Sequence, residues 1–259
     1  LIATMEDMFT HQSGMLFEKT LLDAVGPFDT SLRRSVDYDY ILRASRISTS
    51  AACRSIVFHQ RQHDGDRGAG ASKFPASEMV GRWIQHDQII FRNIHESWPL
   101  DEFLPRGEIV DGRSSRRQAL IQRGVVMARK KMWDHALKDF AQAATLMKGK
   151  LTETERQIAQ RGTQAKYGVQ ELLDNSLIGR GLREIAGLSS VGAELVGELA
   201  TGFRWRIRDE LTQYHPRKAS RLLQLYITLT SSAFHNSRPS DSPWYPEDFL
   251  VTSHKTPGK

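Results

Sequence analysis

Asp37-Tyr38-Asp39 is the stretch whose residue types and spacing best fit chemistry. Two carboxylates stand one residue apart, directly before a run in which Tyr38, Ile41, Leu42 and Ser45 share a helical face. That spacing places Asp37 at or near a helix N-terminus. There its side chain can accept backbone N–H bonds, and the helix dipole favours the ionised form. A fixed, ionised carboxylate can take a proton from a hydroxyl. The plainer reading of the same residue is a helix cap with no chemistry. Asp39 lies about 200° further round the helix, at roughly 100° per residue. The two carboxylates therefore face different surroundings, and Asp39 is spaced to pair with Arg43 at i,i+4.

Further along, Arg61-Gln62-His63 offers a cation suited to phosphate and a competent metal ligand. Each also reads as an ordinary surface residue. Gly68-Ala69-Gly70 lacks the third glycine and the surrounding βαβ unit of a dinucleotide fingerprint. The loop around it reads either as a lid or as an exposed connector. The single Cys53 excludes an internal disulfide and has no evident activating partner.

The elements needed to position these groups are short. Residues 13–17, with Met15, Leu16 and Phe17, read as a buried strand. Residues 18–25 read as a helix with Leu21, Leu22 and Val25 on its apolar face, stopped by Gly26-Pro27. Phe28-Asp29 opens the loop that delivers the chain to Asp37. After the Asp37 helix, residues 53–59 alternate around Ile56, Val57 and Phe58 and read as a second strand.

This order resembles the second half of a family 2 inverting glycosyltransferase domain of the GT-A fold. In that family a Gly-Gly-Phe-Asp turn precedes a Glu-Asp-Tyr-Asp-Leu-x-x-Arg helix start, and an Arg-x-His element follows. The matching residues are Gly26, Phe28, Asp29, Asp37, Tyr38, Asp39, Leu42, Arg43, Arg61 and His63. Val36 and Pro27 depart from the pattern, where the family has Glu and the second Gly. The resemblance spans roughly residues 5–75. It implies an α-rich α/β fold, a partial GT-A domain followed by an all-α region. It also implies Asp37 as catalytic base, Asp39, Arg61 and Ser13 as substrate-side residues, with His11 a weaker candidate, and His63 as a metal ligand or diphosphate contact. A nucleotide-sugar donor and a glycan or other hydroxyl acceptor would be the partners. The divalent Mn or Mg ion would be held mainly by an Asp-x-Asp in a preceding, strand-rich half. Asp64-Gly65-Asp66 lies after the base and is a false match for it. Leu1 is not Met, and the chain is expected to be a piece of a longer protein.

The remainder reads as helical. Residues 76–112 form a helix, 77–94, and a linker; residues 113–235 form a helical accessory region; residues 236–259, with four prolines, form a tail. Within it, 116–147 resembles a tetratricopeptide-type hairpin, with Gly124, Ala136, Phe140 and Ala143 letting two helices approach. No second copy follows. Residues 152–173 read as one polar helix, and 182–211 as a helix interrupted by glycines every five residues. Residues 1–75 carry nine basic and nine acidic side chains, so the whole +6 formal charge falls later. Arg204-Trp205-Arg206-Ile207-Arg208 is the one basic-aromatic cluster. Its plain reading is a solvated helix face, its sharper one peripheral contact with an anionic membrane. No nucleic-acid partner is expected. There is no bilayer-spanning apolar run and no signal-peptide pattern, which fits a cytoplasmic location. The function expected is inverting glycosyl transfer; the alternative is a non-catalytic helical adaptor that retains a decayed glycosyltransferase remnant, and the helical region is a candidate surface for a protein partner.

Because the expected nucleotide-binding half precedes Leu1, residues 1–259 alone should not bind a nucleotide-sugar. Calorimetry with a donor panel and manganese or magnesium checks this. Micromolar binding would place the donor site within these residues.

Overall fold

The computed structural model describes residues 1–8, 14–51, 55–56, 59 and 76–235. Among them every regular element is a helix, which overturns the α/β expectation for residues 1–75. The described parts of the two expected strands show why. Leu16 is fully exposed and Ile56 is 81 % exposed, so neither run has the apolar face of a half-buried strand. An extended segment is stable only where a neighbouring strand takes its backbone bonds. Among the described residues no such neighbour exists. Residues 9–13, 52–54 and 57–58 of these segments lie outside the described set.

Two compact units divide the chain, Leu1–Trp98 and Pro99–Lys259. The first contains α1 (Ile2–Glu6), α2 (Lys19–Val25), α3 (Val36–Ile47) and α4 (Met79–Ser97). α3 buries Tyr38, Ile41 and Leu42 of the face expected from its periodicity, but also Tyr40 and Ala44 on another side, while Ser45 is only half-buried. α4 buries Ile90, Phe91 and Ile94. The rings of Tyr38 and Phe91 lie 5.7 Å apart, joining the two apolar faces. The Tyr38 hydroxyl donates to the Thr4 carbonyl at 2.7 Å, so burying the ring does not strand its polar end.

The second unit opens with a 3-10 turn, Leu100–Phe103, that buries Phe103. It continues with α5 (Arg113–Arg129), α6 (Trp133–Leu146), α7 (Glu153–Arg161), α8 (Gln170–Asp174), α9 (Ser176–Leu188), α10 (Ser190–Thr201), α11 (Phe203–Thr212) and α12 (Pro216–His235). Residues on every side of α5 are buried, from Arg117 through Arg129, so it is the central helix. α6 packs closely on it. A Cβ at Gly124 would lie 2.5 Å from Cε1 of the fully buried Phe140, so only glycine leaves room for the ring.

The expected single helix over 152–173 is broken after Arg161 and restarts at Gln170. The segment between is held by tertiary bonds: the Thr163 hydroxyl donates to the Leu199 carbonyl at 2.8 Å. Gly202 makes this approach possible, since a Cβ there would sit 2.1 Å from the Thr163 hydroxyl. No described helix is long and apolar enough to cross a membrane.

Phe140→Ala should cost about 3–5 kcal/mol, the usual range for emptying a fully buried Phe site. Thermal and urea melts of the two proteins measure it. A loss below about 1 kcal/mol would mean the site collapses around the missing ring.

Candidate functional site

The sequence-marked carboxylates lie in the first turn of α3. The N-cap position is Ser35 rather than Asp37, and Ser35 has a left-handed backbone, φ 56°. Its side chain caps no helical N–H; its hydroxyl instead donates to Asp87 Oδ1 on α4, at 3.3 Å. Asp87 is buried at a position of α4 whose helical neighbours are Trp83, Ile90 and Phe91. That is the one signal by which sequence reading could have found it: a carboxylate in an otherwise apolar register needs a bonded partner. Its neighbour His86 is held below the ordinary histidine range by burial first, then by the Arg34 and Arg82 charges.

Asp37 is half-buried. Its Oδ1 accepts a bond from the Tyr38 backbone N–H at 3.0 Å. It forms no ion pair among the described residues, and none of them bonds its second oxygen. Asp39 is consumed differently. Arg43 Nε donates to Asp39 Oδ2 at 2.9 Å, Arg43 Nη1 to the Val25 carbonyl at 2.8 Å, and Arg43 Nη2 to the Pro27 carbonyl at 3.0 Å. One guanidinium thus ties α3 to the turn that ends α2. Gly26 takes φ 78° in that turn, a conformation open to glycine. Phe28 and Phe17 then pack on Tyr40, with ring centroids 4.6 and 5.9 Å away. Asp29 Oδ1 accepts from the Ser31 hydroxyl at 2.7 Å and from the Ser31 N–H at 2.8 Å. These bonds hold its carboxyl below the usual range and shape the loop into α3.

Of the other expected site residues, Ser13, Arg61 and His63, together with His11, lie outside the described residues. The structure therefore brings Asp37 and Asp39 onto one helix turn and gives Asp39 a structural partner. Among the described residues no group of three or more His, Cys, Asp or Glu side chains is arranged to hold a metal ion. The α3 carboxylates do not fit one either, since Asp39 is already paired with Arg43. Elsewhere, a hollow of about 470 Å³ opens at the start of α12, lined by Tyr214, His215, Pro216, Arg217 and Lys218. Comparison with family models, curated proteins and solved structures finds no match.

Arg43→Ala should lower stability by about 1–2 kcal/mol, the scale of charge-assisted bonds in a partly exposed site. Asp39→Asn, which leaves the two carbonyl bonds, should cost less. Chemical denaturation of both variants checks the order; a larger loss for Asp39→Asn would make the ion pair, not the carbonyl bonds, the main contact.

Proposed function

We propose that the chain belongs to a glycosyltransferase that transfers a sugar from a nucleotide-sugar to an acceptor hydroxyl with inversion, and that Asp37 is its base. The supporting observation is the Arg43 clamp. It joins the Gly-Pro-Phe-Asp turn to the Asp-Tyr-Asp helix start, two of the three motifs on which the sequence resemblance rests; the third, Arg61-Gln62-His63, lies outside the described residues. Arg43 takes Asp39 as its partner and leaves Asp37 with an oxygen that no described residue occupies.

In this reading Asp37 takes the proton of the acceptor hydroxyl. The acceptor oxygen forms its bond to the anomeric carbon as the bond from that carbon to the diphosphate oxygen breaks. The leaving group departs with the electron pair, and the configuration inverts. Arg43 and the α2–α3 turn act by positioning, since they hold the backbone that carries Asp37.

The competing reading, a helical adaptor without catalysis, draws on the all-helical described residues. Asp37→Asn separates the two. In the full-length protein it should lower turnover by roughly 10²–10⁴-fold, the usual worth of a general base, with donor affinity and melting temperature little changed. Nucleoside diphosphate release from a donor panel, with hydroxyl acceptors present, is the assay. Release unaffected by Asp37→Asn rules out Asp37 as the base; no release with any donor favours the adaptor.

A further inference from the structure

We propose that the outer face of α11 and the turn into α12 form a docking surface for an anionic lipid membrane. α11 packs inward through Phe203 and Glu210, both buried. At about 100° per residue, Leu211, Arg204, Arg208 and Trp205 then fall within roughly 120° of arc on the side turned away from Phe203 and Glu210. Trp205 is 42 %, Leu211 55 % and Tyr214 90 % exposed. Arg217 follows in the first turn of α12. Arg204, Arg208 and Arg217 are exposed and hold no ion pair among the described residues.

The negative charges nearby are largely withdrawn from this face. Glu210 turns inward and bonds Lys218 and His215, and the Lys218 bond is the main reason its carboxyl stays below the ordinary range. Asp209 remains, half-buried and bonded by the Gln213 amide at 3.0 Å. Arg206 points the other way and donates to the Ala165 carbonyl at 2.9 Å, while its guanidinium also stacks on Trp205 at 4.1 Å. The solvent-facing side chains thus include three arginines without an ion pair among the described residues, interleaved with a leucine and two aromatic side chains.

That mixture fits a lipid surface better than a nucleic acid. Trp and Tyr favour the headgroup level of a bilayer, and a leucine beside them gains by entering the acyl boundary. Arginine stems can lie along that boundary while their charges reach lipid phosphates. A nucleic-acid phosphate backbone offers the leucine no such gain, and three cations are few for tight duplex binding. The hollow lined by Tyr214, Arg217 and Lys218 opens at the same turn. The surface stands independently of the role given to Asp37.

Co-sedimentation with extruded vesicles tests the proposal, comparing phosphatidylcholine alone with phosphatidylcholine containing phosphatidylserine. The protein should bind the anionic vesicles and weaken as salt is raised. The combined variant Arg204→Gln, Arg208→Gln, Arg217→Gln should lower partitioning roughly a hundredfold, from about a fivefold contribution of each basic residue at an anionic leaflet. Leu211→Ser with Tyr214→Ser should weaken binding even at low salt. All five side chains are exposed, so circular-dichroism melts should be unchanged. Equal binding to neutral vesicles, full binding by the triple variant, or displacement from vesicles by a generic DNA duplex would each overturn it.

Discussion

A buried ion pair organises the larger unit. Arg117 on α5 and Glu155 on α7 are 2 % and 1 % exposed and meet through two bonds of 2.7 Å. Two charges taken out of water are tolerated only when geometry and further bonds satisfy them. Here Arg117 also donates to the Lys150 carbonyl, with its buried Nη1 left without a partner among the described residues, and Glu155 also accepts from the Thr152 N–H. The Glu155 N–H in turn donates to the Thr152 hydroxyl, so the carboxylate that neutralises Arg117 also completes the cap of α7. One residue on, Arg156 bonds Glu194 on α10, and Glu194 accepts from the Leu151 N–H. The start of α7 is thereby fixed against both α5 and α10, and the apolar layers of α5, α6 and α10 close around that polar seam.

The smaller unit uses the same device at lower burial. Arg43 spans a helix, a turn and a carboxylate, and its pair with Asp39 is partly exposed. Its two carbonyl bonds matter most, because they give the carbonyls at and just past the end of α2 donor partners that no regular element supplies. Ser35 is the complementary feature: a left-handed residue held by a bond to Asp87, immediately before the helix that presents Asp37. Backbone in that region costs free energy for a residue with a side chain, and such positions recur where neighbours over-determine the conformation.

The lipid-facing proposal and the Asp37 proposal describe different units, and each rests on its own side chains. A transferase whose accessory helices touch a membrane would work on acceptors held at or near that surface. The catalytic reading requires groups beyond the described residues; the docking reading is complete within α11 and the first turn of α12.

The sequence by itself determined the features that local spacing encodes. The helical periodicity of residues 36–47, the i,i+4 pairing of Asp39 with Arg43, and the stop at Gly26-Pro27 all act within one or two turns. The close approach of Gly124 and Phe140 was legible for a similar reason: a short hairpin leaves little freedom in register. The strand candidates misled because a short apolar run does not say whether a partner edge exists, and Leu16 and Ile56 turn out exposed. Tertiary structure alone decided the bond from Ser35 to Asp87, fifty-two residues apart, and the Arg117–Glu155 pair, thirty-eight apart. It also decided the break after Arg161, where Thr163 leaves the helix to bond Leu199. Such contacts are chosen by the cost of leaving a buried polar group unpaired. Which group becomes buried is set by the packing of distant helices, not by its neighbours in the chain.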